Sequence, residues 1–552
     1  MTYKILYENP DESLIQRIMH VRNIDCSIDD FINPTMQAYR WDPSLLSDMN
    51  IAIERIIQAI KRKEKIMIFA DYDVDGVTSS YILYTFVTRY LWYKDISIEY
   101  PDRFKDGYGL KSHHLDAIKA KWCSVVITVD NGITSVQEAL HAKKIWIDLI
   151  ITDHHQVAES WVPDAYAVVN PQTSPEYLFK WICGAAVSFK VLCALMEKAD
   201  RSRAKKKQIF NYYLPIVAIA TVADCVPLIK ENRVFVQRWF ALINNHRKNI
   251  PAWLQWLLKY LNIKKPIDSF HVWFMIGPRI NAGWRVGTPF DSLRMLLFEW
   301  EKQLEHLDKL EWLNTERKSL QDNAYKEAEA QANTEKMMIT ATSEDFHEWI
   351  VGIVAGRLCE KHKKPTAVFS VNTKENKAVA SLRWPKYFHV VEMLKTMDDI
   401  LLRYGGHKQA GWLTCSAENL PAVIERMEAY CAKHINTNDL EQPIEVDTLL
   451  YDHERTKDQL EGIDQLAPFG IGNEEPLLLV KNLIVTDIER VGKNGWAHLK
   501  LHAELGWNQL KTMFWKQGDN DDGITKGEIN LIGKIKPDSY NGGYFVEGKK
   551  IV

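Results

Sequence analysis

No segment of this sequence is apolar over anything like the ~20 residues that a membrane-spanning helix needs; the richest run, Tyr213 to Ala223, falls well short. The opening residues, Met1 to Asn9, carry neither a basic stretch nor an apolar core of the kind that directs secretion. No membrane association is expected, and the cytoplasm is the expected location. Cys-x-x-Cys spacing is also missing. The eight cysteines, Cys26, Cys123, Cys183, Cys193, Cys225, Cys359, Cys415 and Cys431, are scattered, which argues against a zinc ribbon or a disulfide framework and leaves free, mostly buried thiols. Nor is there an excess of one charge. With 69 Lys+Arg against 72 Asp+Glu the net charge is −3, so nucleic acid is not coated through bulk charge and any contact with it has to come from a local groove. Internal repeats and low-complexity tracts are absent.

What is present is a long, ordinary globular chain: 552 residues, 46% hydrophobic and 26% charged, enough for about three or four domains. From about residue 60 to 230 short β-rich apolar runs alternate with helical patterns, the signature of a parallel sheet flanked by helices. The expected strands are Ile66–Ala70, Val125–Val129, Leu149–Thr152 and Ala165–Val169. In open parallel sheets ligands bind beyond the carboxyl ends of the strands. From Phe298 to Asn333 the chain is highly charged, lacks proline and glycine, and spaces Trp300, Leu304, Leu307, Leu310 and Leu313 as a helix does, which predicts a long connecting helix. Beyond it, runs at Met337–Ala341, Thr366–Ser370 and Ala378–Leu382 around a helix at Val351–Lys361 predict a second, smaller α/β domain. Five β segments between 477 and 552, separated by Gly/Asn/Asp turns, predict an OB-like barrel. The expected division is an N-terminal segment (1–55) packing on a catalytic domain (56–290), a connecting helix (291–335), the smaller α/β domain (336–436) and the barrel (437–552).

Four acidic motifs carry the chemistry. Asp71-Tyr72-Asp73-Val74-Asp75-Gly76 follows a strand and precedes a helical run. Alternate carboxylates on an extended turn concentrate negative charge that a hard cation would offset. An EF-hand loop begins in the same way, but its twelfth position needs a bidentate Glu, and Ile82 stands there. Asp130-Asn131-Gly132 and Asp153-His154-His155 each follow an expected strand. Asp224 ends the apolar helix Leu214–Val222, where an acidic side chain meets an unfavourable dipole that a metal would relieve. Taken singly these are weak: a solvated acidic turn, an Asn-Gly turn or a chance His pair would account for each. Together, carboxylates and imidazoles without thiolates suit Mn²⁺ or Mg²⁺. Two such ions about 3.5–4 Å apart hydrolyse phosphoesters, and Asp130, on a central strand, is the expected bridging ligand.

In order and spacing, D-Y-D-V-D-G, V-D-N-G, D-H-H and A-D-C-V-P-L resemble the four motifs of the DHH phosphoesterase superfamily. Gly277-Pro278-Arg279-Ile280-Asn281-Ala282 with Arg285, then His347, Gly352-Ile353-Val354-Ala355 and Arg357, then Ser381 and Arg383, Gly405-Gly406-His407 and Pro468-Phe469-Gly470-Ile471-Gly472-Asn473 resemble its RecJ-type exonuclease family. The resemblance spans nearly the whole chain. It implies metal ligands at Asp73, Asp75, Asp130, His154 and Asp224, with Asp71 and His155 as ligands or their supports. Asp130, His154 and His155 would be catalytic. It also implies that Ser381, Arg383, Gly405, Gly406 and His407 contact the nucleotide being removed, that Arg279 and Asn281 hold the DNA backbone, and that Arg285 and Arg357 belong to the substrate-binding set. Two departures, Trp384 after Ser381-Leu382-Arg383 and Trp284 before Arg285, bear on the DNA channel.

The implied activity is 5′→3′ exonucleolytic release of mononucleotides from single-stranded DNA, in repair and recombination, by a monomer working with a helicase and single-strand-binding protein. The residues themselves do not fix the polarity. Among 19 tryptophans, Trp496 alternates with His498 and Lys500 on one face of an expected barrel strand and could stack a base; it could equally cap the barrel. Two rivals remain. An oligoribonuclease or other small-nucleotide phosphodiesterase on the same core would need neither barrel nor long helix, and a non-catalytic DNA-binding scaffold would have lost metal ligands, all of which are filled here.

Overall fold

The computed structural model describes residues 3–39, 42–102, 106–157, 161–246, 250–263, 266–299, 301–436, 440, 442–492, 498–505, 508–515, 526–538 and 543–552. The chain divides into two compact units. One comprises Tyr3–Asn281, Ser292–Leu307 and Glu445–Val552; the other is built on Ala282–Asp291 and Asp308–Ile444.

The first unit holds a five-stranded, all-parallel sheet in the order Ile96–Glu99, Lys65–Ala70, Cys123–Val129, Asp148–Thr152, Ala167–Val169. Its strands read as continuous apolar runs because both faces are covered. Met67, Phe69, Val126, Leu149 and Ile151 share a core with Leu115, Ile118, Ala139 and Ala142 of the helices Ser112–Ala120 and Val136–Lys144. The alternate residues Ile66, Ile68, Val125, Ile127 and Ile150 are equally buried. Helices Val74–Tyr90, Gly184–Lys198 and Arg203–Ala223 pack on one another. The expected strands all form; the edge strand Ile96–Glu99 had no clear signal.

The same unit contains the barrel. Leu478–Val491 pairs with His498–Leu505 on one side and Gly527–Pro537 on the other. Asn508–Phe514 and Tyr544–Ile551 complete the ring through a parallel pairing. The expected segments match these strands to within a few residues, although Trp496 lies outside the described residues. The face proposed to grip DNA is less basic than the alternation suggested: Glu489 takes Lys500 at 2.7 Å and His502 at 3.2 Å, and His498 packs edge-on against Trp515.

The N-terminal segment divides its packing. Its helix Leu14–Val21 sends Leu14, Ile15, Ile18 and Met19 into the core of the barrel, together with Leu478, Val480, Leu501, Leu531 and Val546. Farther on, Phe31 and Ile32 offer carbonyls to Arg233 and Gln237 of the helix Lys230–Asn245. Helix Met49–Arg62 lies on the parallel sheet, where Arg55 pairs with Asp148 at 2.6 Å.

In the second unit a five-stranded sheet runs in the order Arg403–Gly406, Ala410–Cys415, Lys377–Arg383, Thr366–Asn372, Ile339–Ser343, with helix Val351–His362 packed on it. Arg403–Gly406 and Ala410–Cys415 pair as an antiparallel hairpin. The long helix is Glu301–Gln331, preceded by a separate helix Pro289–Leu297. Leu307, Leu310 and Leu313 are buried along it as expected; Trp300 lies outside the described residues. All eight cysteines are free, five of them buried. Among the described residues no helix is long and apolar enough to cross a membrane.

Candidate active site

The carboxyl ends of three parallel strands and the end of one helix meet at the same place. Lys65–Ala70 leads into Asp71, Asp73 and Asp75, Cys123–Val129 into Asp130, Asp148–Thr152 into Asp153 and His154, and helix Arg203–Ala223 ends on Asp224. Asp73 caps the helix Val74–Tyr90: its Oδ1 accepts from the amides of Asp75 (2.9 Å) and Gly76 (3.1 Å). Gly76 has no alternative, because a Cβ there would stand 2.2 Å from the Asp71 carbonyl oxygen. Asp75 is fixed by the first amides of helix Gly184–Lys198, with Gly184 N donating to Oδ2 (2.5 Å) and Ala185 N to Oδ1 (2.8 Å), an arrangement in which a helix N-terminus stabilises the carboxylate. Gly184 also leaves room for Asp130, whose Oδ1 would lie 2.6 Å from a Cβ at that position. Asp130 itself has a left-handed backbone, φ 61°, a region that Asp tolerates better than most residues.

His154 stands in the middle. Its Nε2 is 3.1 Å from Asp130 Oδ1 and 3.7 Å from both Asp75 Oδ2 and Asp224 Oδ2. Donor atoms of Asp75, His154 and Asp224 lie within 4.8 Å of one another, as do those of Asp71, Asp73 and Asp130, and those of Asp130, His154 and His155. Asp130 therefore belongs to two of the three groups. Burial first, and the neighbouring Asp75 second, push Asp73, Asp130 and Asp224 above the usual carboxylate range. Burial, with the adjacent His155, lowers the His154 ring. Asp130 Oδ1 and His154 Nε2 are both buried and neither makes a hydrogen bond. Buried acceptors of one sign, beside an imidazole nitrogen left without a hydrogen bond, are costly as they stand. They fit a hard divalent cation.

Asp153 was not singled out from the sequence. Its Oδ1 accepts from His154 N (2.7 Å) and His155 Nδ1 (2.7 Å), and its Oδ2 from Ile133 N (2.9 Å). Burial opposes the charged His155 ring, but Asp153 outweighs it and holds the ring up at about 9. Gly184 and Ala185 were missed as well. Their only local signal is a Cys-Gly-Ala step opening an apolar helix, and nothing in it points to Asp75, whose contact with Gly184 spans 109 positions. Asn281 accepts from Val74 N at 3.2 Å, placing it at the start of the helix that carries Asp75. Arg279 donates to the Met275 carbonyl.

In the second unit Ser381 and Arg383 come together, and Gly405 lies one strand beyond Trp412 in the same row. Arg383 Nη1 donates to Ser381 Oγ at 2.9 Å, and a Cβ at Gly352 would lie 3.1 Å from that oxygen. Gly406, at φ +142°, closes the hairpin, where His407 N donates to the Ala410 carbonyl at 2.7 Å. Arg285 lies over the Trp284 ring and donates to Trp349 O; Arg357 pairs with Asp322 over the Tyr325 ring. The two departures from the expected pattern are packing residues: Trp384 stacks on Phe388 in the core of this unit, and Trp284 is buried.

Comparison with known proteins agrees with this anatomy segment by segment. The family model for the DHH family, N-terminal domain, matches residues 65–221, that for the DHHA1 domain residues 335–433, and that for the RecJ OB domain residues 446–547. The chain belongs to the RecJ group of the DHH family. It is 31% identical over 516 residues to the single-stranded-DNA-specific exonuclease RecJ of Bacillus subtilis, covering 92% of this chain and 63% of that protein. With the enzyme of the same name from Escherichia coli it shares 27% identity over 531 residues, covering 90% and 88%. The crystal structure of RecJ in complex with Mn²⁺ from Thermus thermophilus superposes with a TM-score of 0.79 at 25% identity, covering 97% of this chain and 75% of that one. The converging residues fall inside the first model, except Asp224, which lies just beyond its end. Ser381, Arg383 and Gly405 fall inside the second.

Proposed function

We propose that this chain is a divalent-metal-dependent exonuclease that degrades single-stranded DNA from the 5′ end, releasing mononucleotides, in DNA repair and recombination. The observation that carries the reading is the convergence of Asp71, Asp73, Asp75, Asp130, His154 and Asp224 from four chain segments into groups whose donor atoms lie within 4.8 Å. Asp73, Asp75, Asp130, His154 and Asp224, with Asp71, would hold Mn²⁺ or Mg²⁺, two ions with Asp130 shared between them. Bound there, such ions supply Lewis acidity toward a phosphodiester and counter-charge for its oxygens.

The protein's own groups do the rest. Asp153 orients the His155 ring through Nδ1 and holds the backbone amide of His154. His155, anchored through Nδ1, keeps its proton at neutral pH and sets a positive charge beside the cluster for a phosphate oxygen. The first amides of the helix at Gly184 hold Asp75 in place through both of its carboxylate oxygens. Hydrolysis adds water to phosphorus, and the O3′ of the terminal nucleotide leaves and takes up a proton. Ser381, Arg383, Gly405, Gly406 and His407 are the groups for that nucleotide, with Arg279, Arg285 and Arg357 for the strand. Asn281 supports the site through Val74.

A monomer acting in the cytoplasm with a helicase and single-strand-binding protein fits the same reading. Small-nucleotide hydrolysis is disfavoured by the complete barrel, and a non-catalytic scaffold by the intact ligand set. The test is digestion of single strands and duplexes labelled at the 5′ or 3′ end, after stripping with EDTA and adding back Mn²⁺ or Mg²⁺. Loss of 5′ label as mononucleotide from single strands alone is expected. Activity that persists in chelator, or a preference for dinucleotides over long strands, overturns the proposal.

A further inference from the structure

Gly405, Trp412 and Ser381 form one row across three neighbouring strands: Trp412 pairs with Gly405 on one side and with Ser381 on the other. Directly paired residues in an antiparallel ladder share a face of the sheet. Trp412 is nonetheless 46% exposed, unusual for a large apolar ring flanked by two strands. A Cβ built on Gly405 would lie 3.1 Å from each of three consecutive indole atoms, Cζ2, Cε2 and Nε1. A point equally distant from these three adjoining atoms at that range stands out of the ring plane, over the Nε1/Cζ2 edge of the indole. One side of the indole is therefore packed on Gly405 along its Nε1/Cζ2 edge, and a side chain at 405 would shift the ring. Beside it, Ser381 Oγ accepts from the Arg383 guanidinium at 2.9 Å, and glycine at 352 leaves both groups uncrowded.

We infer that Trp412 is a stacking platform for the nucleobase of the terminal nucleotide, with Gly405 as the floor that holds the indole flat and Arg383 and Ser381 as the neighbouring polar groups for its phosphate or sugar. A planar indole with one face packed and the ring half-exposed suits any base, because every base has a π-face. Cation–π and sugar contacts would add little discrimination, so the site should read the presence of a base more than its identity. This inference rests on the nuclease reading, and its test separates the two.

Equilibrium binding of short deoxyoligonucleotides is measured in EDTA, where no cleavage occurs, with the full chain. Three probes are used: an unmodified strand, one with an abasic unit at the 5′ end and one with it at the 3′ end. For the wild type, one of the two abasic ends is expected to weaken binding by about 5- to 100-fold. Trp412→Ala should lose that discrimination, Trp412→Phe should keep part of it, and Gly405→Ala should behave like Trp412→Ala. Equal discrimination in wild type and Trp412→Ala overturns the inference, as does a wild type indifferent to both abasic ends. Metal-dependent degradation by the same preparations reports separately on the nuclease reading: discrimination without degradation sinks that reading and leaves the platform standing.

Discussion

Arg17 and Asp130 are both buried charges, and their surroundings could hardly differ more. All five N–H groups of the Arg17 guanidinium are used: Nε on Thr448 Oγ1, Nη1 on Glu12 O and Glu454 Oε1, Nη2 on Leu449 O and Glu454 Oε2. Glu454, as deeply buried, also accepts from Tyr451 N. Around Asp130 the neighbours are more carboxylates, Asp71, Asp73, Asp75 and Asp224, and the nearest imidazole nitrogen makes no hydrogen bond. Desolvation is severe in both places. In one it is compensated inside the fold; in the other the compensation is left to something from outside. A closed set of partners marks a structural joint, and an open set of one sign marks a place where a ligand finishes the structure.

That contrast can be broken from either side. The largest effect is expected for Asp130→Asn, which should lower kcat on single-stranded DNA by roughly 10³-fold or more. Because it also removes like-charge repulsion, the same change should raise the melting temperature in EDTA by about a few degrees. A variant that melts lower in chelator would mean that the cluster is not strained without metal. At the structural joint, Glu454→Gln leaves the Arg17 cation buried without its counter-charge and should cost about 3–5 kcal/mol in urea unfolding, while the folded fraction keeps its rate on DNA within about twofold. A rate loss as large as that of Asp130→Asn would show the joint to be part of the catalytic machinery.

Asp153→Asn sits between the two cases, since Asp153 orients ligands that it does not replace. An activity loss of about 10- to 100-fold is expected, with a raised Mn²⁺ requirement in titration; an unchanged metal requirement would count against the orienting role. The smallest effect is expected for the double change Arg17→Met with Glu454→Leu, because a well-packed apolar pair often replaces a buried ion pair at little cost. Unfolding free energies within about 2 kcal/mol of wild type would separate the cost of breaking the pair from the worth of having it.

The first unit of this architecture was readable wherever a local pattern mapped onto a local structure. Apolar runs ending in Asp71, Asp130 and Asp153 became parallel strands with carboxylates at their carboxyl edge, and alternation between 477 and 552 became the barrel. What could not be read was whatever depends on partners far away in the chain. Nothing near Gly184 announces that its amide holds Asp75. Lys500 looked like a free basic group until Glu489 was found beside it. Asn281, assigned to DNA by resemblance, accepts the Val74 amide. The apolar side of the helix Leu14–Val21 is covered by barrel strands from the far end of the sequence.

That covering has a consequence for how the protein is made. Arg17 and Glu454 are 437 positions apart, and the apolar stripe of Leu14, Ile15, Ile18 and Met19 has its cover in strands formed after residue 477. At about 5–20 residues per second a ribosome takes roughly 20 to 90 seconds to travel between them. Throughout that interval the helix Leu14–Val21 waits with its greasy side uncovered, and the joint closes only when the strands beyond residue 477 are synthesised.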